Sequence, residues 1–237
     1  MPFVFALGFF VACYVLWLLF FFVGSWFISL RKTPKKPDCF AYWAIKETCQ
    51  NLLPFMGAKV TFVGLEKIPA EEKFLLICNH ISGFDHLCLV AKIPSLILSI
   101  SKKENEHIFI AGKWMHKAGF LPLDRKNAFA GLATIQQAIG FISRGEASVA
   151  VSPEGTRSKN GTLLPFHEGS FKIATRTGCP LVVVRVEGTS LIKKNFPFRR
   201  TKVTLTVLAV LRKEDYEGIT AVALSDRCHE ILGSSYL

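Results

Sequence analysis

The first 30 residues contain no Asp, Glu, Lys, Arg or His. A stretch that length without charge is excluded from being an ordinary solvated surface. As a helix, Phe3 to Leu30 would extend roughly 40 Å, longer than the roughly 30 Å hydrocarbon core of a bilayer, so it is expected to span with tilt or to lie partly in the interface. It has no basic leading region and no small-residue cleavage site after it, which argues against a removed signal peptide. Arg31, Lys32, Lys35 and Lys36 follow immediately. The positive-inside rule puts such a cluster on the cytoplasmic face, so a membrane location with the rest of the chain on the cytoplasmic side is expected.

Other absences narrow the chemistry. There is no G-x-G-x-x-G and no G-x-x-x-x-G-K-[ST], so no apparatus for nucleotide phosphates is visible. There is no G-x-S-x-G elbow, and a serine hydrolase would lack its nucleophile. Internal repeats and low-complexity tracts are missing. The seven cysteines show no paired metal spacing and mostly sit in apolar surroundings, as reduced buried thiols do, so neither a disulfide framework nor a metal site is expected.

What is present is positive charge. Lys and Arg number 29 against 18 Asp and Glu, a formal net charge of +11 carried entirely outside the first 30 residues. An anionic partner is expected. For a tethered chain without zinc-finger spacing, lipid headgroups or phosphorylated substrates are the economical choice, and nucleic acid is not expected.

Thr33 to Asp38 is a Pro/Lys-rich break. Cys39 to Met56 then reads as a helix, whose Phe40, Tyr42 and Trp43 suit either a headgroup zone or an ordinary core. From Gly57 short β-rich runs alternate with helical stretches, the pattern of an α/β domain with a largely parallel central sheet flanked by helices. Strands are expected at Lys59 to Val63, Phe74 to Cys78, Leu96 to Ser101, Ser148 to Ser152, Leu181 to Val186 and Lys202 to Val210. Helices are expected at His86 to Lys92, Ile108 to Gly119, Ala128 to Arg144, Glu168 to Thr177 and Ile219 to Leu232. The chain is thus expected to divide into an anchor helix (1–32), a linker with an interfacial or amphipathic helix (33–57) and an α/β domain (58–237) that carries whatever chemistry the chain has.

Phe74 to Cys78 is continuously apolar, as a strand covered on both faces should be, and it runs into Asn79-His80 and a Ser-Gly break. Ligands of open α/β sheets bind at that carboxyl edge. Asp85, five positions beyond His80, can fold back so that its carboxylate accepts the imidazole Nδ1–H, fixing the tautomer and leaving Nε2 as a base. With no nucleophilic Ser, the hydroxyl attacked by that base would be the substrate's own. The alternative is a capping pair in which Asp85 starts the next helix. His86 either extends this site or faces solvent.

Two further strand ends carry cations. Gly119-Phe120-Leu121-Pro122-Leu123-Asp124-Arg125 is one, and Ser152-Pro153-Glu154-Gly155-Thr156-Arg157 is the other. Arg suits bidentate phosphate binding, Gly155 allows close backbone approach, and Thr156 adds a hydroxyl and an N–H. Taken singly, each Arg reads more readily as a surface ion pair, and that reading weakens when the motifs occur in order.

Together these blocks, from about Val60 to Val210, resemble the glycerolipid acyltransferases typified by bacterial 1-acyl-glycerol-3-phosphate acyltransferase. Asn79-His80-x-Ser82-x-x-Asp85 resembles the family's first block, in which the His is the general base and the Asp orients it. Phe120 to Arg125 resembles the second and Glu154-Gly155-Thr156-Arg157 the third, both tied in the family to the acceptor's phosphate. Lys102-Lys103-Glu104 is similar to its strand-end Lys-Glu, and Phe166, Gly169 and Ala174 fit the stretch after the third block. Cys179-Pro180-Leu181-Val182-Val183-Val184, followed by Arg185, departs from the fourth block by lacking its second proline.

The resemblance implies acyl transfer from acyl-CoA or acyl-carrier protein to the sn-2 hydroxyl of 1-acyl-glycerol 3-phosphate, a lysophospholipid acceptor, at a lipid bilayer. It implies His80 and Asp85 as catalytic, and Asn79, Ser82, Lys103, Arg125, Glu154, Gly155, Thr156 and Arg157 as substrate-binding. It also implies that neither metal nor cofactor is needed beyond the acyl-CoA or acyl-carrier-protein co-substrate.

Overall fold

Phe74, Leu75, Leu76, Ile77 and Cys78 are each fully buried, at 0% exposure, as their unbroken apolar run requires of a strand covered on both faces. In the computed structural model, which describes residues 15–30, 33–158 and 160–236, this run forms β2 (Leu75–Cys78) near the middle of a single sheet. The other strands are β1 (Ala58–Val63), β3 (Ile97–Lys102), β4 (Leu121–Leu123), β5 (Ser148–Val151), β6 (Leu181–Glu187) and β7 (Thr201–Leu211). Their spatial order is β1-β7-β6-β2-β5-β3-β4, seven strands in all.

The strands from β6 to β4 in that order are mutually parallel, so β2, β3, β4, β5 and β6 all end on one edge. β7 and β1 run the other way: β7 pairs antiparallel with β6 and parallel with β1. The expected largely parallel α/β sheet is therefore present, and each of the six expected strands is found with no end displaced by more than one residue. The seventh, β4, has three residues with Pro122 at its centre. It pairs with β3 alone, and a strand with one neighbour tolerates a residue that has no N–H to give.

The helices are α1, described over 15–26, α2 (Cys39–Phe55), α3 (Phe84–Lys92), α4 (Ala111–Ala118), α5 (Ala128–Ser143), α6 (Lys172–Thr177), α7 (Ile192–Asn195) and α8 (Ala221–Gly233). The helix expected from Ile108 starts only at Ala111, because Lys103 to His107 forms a 3-10 turn and Ile110 takes φ 61 before α4 begins. At Glu168 a 3-10 turn likewise precedes α6. One short turn, α7, goes beyond the expected set.

Helix α2 packs against the domain through one face. Asp38 caps it by accepting the Ala41 N–H at 2.8 Å. Tyr42 is buried and its hydroxyl accepts the Ile97 N–H at 3.1 Å, fixing the helix to the start of β3. Phe40 and Trp43 point the other way, against α1, whose described part is 15–26. Trp17 meets Trp43 edge-on at 5.8 Å and Phe21 meets Trp114 of α4 at 4.6 Å.

Of the stretch expected as an anchor helix, 1–32, the structure describes residues 15–30. The described turns lie on α2 and α4, with Phe21 buried, and among the described residues no helix is long and apolar enough to cross a membrane. The remainder of that stretch, with Arg31 and Lys32, lies outside the described residues.

Candidate active site

The site grows from the end of β2. Asn79, 1% exposed, clamps β2 to the neighbouring β6: its Oδ1 accepts the Val186 N–H at 2.7 Å and its Nδ2 donates to the Val186 carbonyl at 2.9 Å. A backbone pair in β6 thus occupies both ends of the amide that was expected to bind substrate. Asn79 belongs to the frame of the site, and what it positions is the next residue.

That residue is His80. Its ring nitrogen Nδ1 lies 2.8 Å from Asp85 Oδ2, and since a carboxylate only accepts, Nδ1 carries the proton and donates it. The same Oδ2 also accepts the backbone N–H groups of Ile81 and Ser82, each at 2.8 Å. The Thr189 hydroxyl, just past β6, donates to Oδ1. Asp85 is 0% exposed, and four donors compensate its burial. Asp85 sits in the first turn of α3, yet its carboxylate reaches back to the residues before the helix. Ser82 Oγ instead accepts the Phe84 N–H at 3.2 Å as the helix starts. The two readings of the pair are resolved into two residues: Ser82 serves the helix end and Asp85 serves His80.

The His80 side chain is 16% exposed, and its Nε2 has no partner among the described residues. One imidazole nitrogen is thus locked by a buried carboxylate and the other opens toward solvent. This is the arrangement of a general base whose tautomer is fixed.

The loop after β5 is stitched to the same turn. Glu154, 3% exposed, accepts the His80 N–H at 2.7 Å through Oε1 and the Leu164 N–H at 3.2 Å through Oε2. Burial raises its carboxyl pKa and these two bonds act against the rise. The Ser158 N–H donates to the His80 carbonyl at 2.8 Å. Glu154, expected on the substrate, therefore spends its carboxylate on the loop backbone and stands in the frame with Asn79. Gly155 takes φ +68, and a Cβ there would lie 2.9 Å from His167 Cδ2, so both backbone and space call for glycine.

Thr156 and Arg157 are exposed. A Cβ added to Gly83 would stand 3.2 Å from Arg157 Nη2, so the guanidinium lies over the turn between His80 and Asp85. It makes no hydrogen bond or ion pair among the described residues. The other expected cations stand further along the same edge. Lys103 follows β3 and pairs with Asp124 after β4 at 3.3 Å, and Arg125 beside it is exposed without an ion pair among the described residues. Asp124 is held below the usual carboxylate range by the Lys126 N–H and then by Lys103.

Three side chains complete the site without having been expected in it. Thr189 has no local pattern that would have marked it as the partner of Asp85. His86 stood beside Asp85 with two readings open, and it extends the site inward: Nε2 lies 3.1 Å from Ser152 Oγ, and its ring centroid is 6.0 Å from that of His80. Burial, and after it the nearby His80, pushes its pKa down to about 4, while Asp85 acts the other way. Among the described residues its buried Nδ1 has no partner. Ser152 also contacts Cys78 Sγ at 3.3 Å, and burial pushes that thiol well above the ordinary range, so it is no nucleophile.

Comparison with known proteins adds to this geometry. The matched part of a 1-acyl-sn-glycerol-3-phosphate acyltransferase of Cocos nucifera is 30% identical, covering 72% of this chain and 55% of that protein. For the beta form of the enzyme so named in Homo sapiens the identity is 28%, over 77% of this chain and 66% of that one. The chain thus spans 55% and 66% of the length of these two relatives. The crystal structure of the 1-acyl-sn-glycerophosphate (LPA) acyltransferase PlsC of Thermotoga maritima superposes with a TM-score of 0.70, at 21% identity, over 96% of this chain and 90% of that one, which shows a shared fold. The family model described as Acyltransferase matches residues 59–187, more than half of the chain and the whole run from β1 through β6 that carries the His80 and Arg157 loops: the chain belongs to the acyltransferase family.

Proposed function

We propose that this chain is a 1-acylglycerol-3-phosphate O-acyltransferase working at a lipid bilayer, with His80 as general base and Asp85 as the group that orients it. The observation that carries the reading is the His80–Asp85 pair at the carboxyl edge of the sheet, 2.8 Å apart, with the Arg157 guanidinium lying over the intervening turn. The names of the relatives supply the acceptor.

In this mechanism His80 Nε2 takes the proton of the sn-2 hydroxyl of 1-acyl-glycerol 3-phosphate as its oxygen attacks the thioester carbonyl of acyl-CoA or acyl-carrier protein. The tetrahedral intermediate collapses by breaking the C–S bond, and the leaving thiolate recovers the proton from His80. The products are phosphatidic acid and the free thiol. General-base catalysis of this kind is worth roughly 10² to 10⁴ in rate, and fixing the two substrates supplies more. Arg157 holds the acceptor's phosphate beside the base, with Thr156 next to it. Arg125, kept at the neighbouring strand ends by the Lys103–Asp124 pair, completes the anionic subsite. Asn79, Ser82, Glu154 and Gly155 hold the loops in place.

Purified protein is assayed with labelled acyl-CoA and acyl-carrier protein against lysophosphatidic acid, glycerol 3-phosphate, headgroup-bearing lysophospholipids and a lyso-ornithine lipid. Labelled phosphatidic acid is expected, and its loss in a folded His80→Ala protein. Transfer to another acceptor in preference changes the substrate, and near-wild-type transfer by His80→Ala ends the reading.

A further inference from the structure

The segment that joins β6 to β7 plays no part in the site, yet it leaves the same edge of the sheet. It begins just past Thr189, the partner of Asp85, and returns at Thr201, three residues before Thr204 pairs with Glu187 at the end of β6. Within Leu191 to Arg200 four residues are cations, Lys193, Lys194, Arg199 and Arg200, and none is acidic. All four are exposed, and none enters an ion pair among the described residues.

Between the cations stand bare aromatic rings. Phe198 is 93% exposed, and Phe196, 36% exposed, packs at 5.7 Å against Phe55, which closes α2 and is 69% exposed. A phenyl ring has no polar handle to justify such exposure to water. A second protruding ring, Phe109 at 77% exposure, follows β3 between its carboxyl end and α4, on the same edge of the sheet.

We infer that the Leu191–Arg200 segment with Phe55 is a docking surface for an anionic bilayer: the cations meet lipid phosphates while Phe198 and its neighbours enter the headgroup boundary, turning the His80 edge toward the membrane. Protruding rings flanked by cations match the layered chemistry of a bilayer surface, apolar below and anionic above. A folded acidic protein would satisfy the charge and leave Phe198 in water. A nucleic acid would need a groove to track its backbone, and this segment protrudes. The inference deepens the bilayer part of the proposed function, and vesicle docking does not require acyl transfer, so the two readings fail separately.

The test uses the full chain with p-benzoyl-phenylalanine in place of Phe198, irradiated with vesicles of phosphatidylcholine alone or mixed equally with phosphatidylglycerol. The control places the same probe at Val222, exposed at the start of α8, beyond the other end of β7. A lipid adduct is expected from position 198 with anionic vesicles, weaker with neutral ones, and none from position 222. Replacing all four cations by Gln should lower binding to anionic vesicles at least tenfold, given about fivefold for each cation near the surface. A vesicle-bound protein without lipid adduct at 198, unchanged binding by the four-Gln protein, or adducts that form with an acidic carrier protein or an oligonucleotide instead of lipid would each overturn the inference.

Discussion

The Glu154 carboxylate, 3% exposed, accepts the backbone N–H of His80 at 2.7 Å, so the loop after β5 fixes the residue two positions beyond the end of β2. Its other oxygen holds Leu164 N–H. Removing the side chain strands two N–H donors in a partly buried loop junction. Glu154→Ala is expected to cost about 2 to 6 kcal/mol, at roughly 1 to 3 kcal/mol for each unsatisfied group, and to lower kcat by displacing His80. Glu154→Gln keeps one acceptor and should cost less than half as much. Urea unfolding together with kcat on the same proteins checks both; an unaltered unfolding midpoint in Glu154→Ala would contradict this role.

Thr189 offers a second route to the base. Its hydroxyl donates to the Asp85 oxygen that His80 does not use. Thr189→Val keeps the volume and removes the donor, leaving a buried carboxylate lone pair unmet at a cost of roughly 1 to 3 kcal/mol. Because Asp85 orients His80, kcat should fall while both KM values hold. Thr189→Ser should restore most of the rate, and a rise in KM alone for the Val protein would show that Thr189 acts on binding.

The contrast between Asp85 and Thr189 shows what the sequence could disclose. Asp85 is five residues from His80, within one turn, so spacing and residue type revealed the pair. Thr189 lies 104 residues from Asp85, and only the sheet order that seats β6 beside β2 brings it there. The buried strands were legible because runs such as Leu181 to Val184 have no other stable home than a covered sheet. β4 was not, because three residues around Pro122 carry no strand period. Asn79 and Glu154 were legible as members of the site but not as its frame. Their residue types suit a ligand and a backbone equally, and burial decides between them.

Arg157 tests the anionic subsite. Its guanidinium lies over Gly83 with no ion pair among the described residues, so it is available to a phosphate. Arg157→Ala should raise the acceptor KM by about 10- to 100-fold, the equivalent of losing a charge-assisted bond of roughly 1.5 to 3 kcal/mol, with the acyl-donor KM unchanged. Gly83→Val should give a smaller rise in the same constant, since a Cβ at 3.2 Å from Nη2 displaces the guanidinium without removing it. Steady-state kinetics with each substrate varied in turn separates the effects. An equal rise in the donor KM would place Arg157 elsewhere in the reaction.

His86 predicts how the site responds to acid. Its pKa falls from 6.5 to about 4 in the folded chain, chiefly through burial and then through His80, with Asp85 opposing. The unfolded chain therefore binds the proton first, and the neutral ring contributes stability that is full above about pH 6.5 and is lost as pH falls toward 4. Between pH 7 and pH 5 this amounts to about 2 kcal/mol. Glu154, whose pKa is raised, works with the opposite sign over the acid range, but it is common to wild type and variant. His86→Gln retains a group near Ser152 and has no proton to take up, so its unfolding free energy should drop less over that interval by about 2 kcal/mol. Matched denaturation curves at the two pH values read the difference directly. Equal losses in both proteins would mean that His86 is not held neutral by its surroundings, and the inner half of the site would then carry charge next to His80.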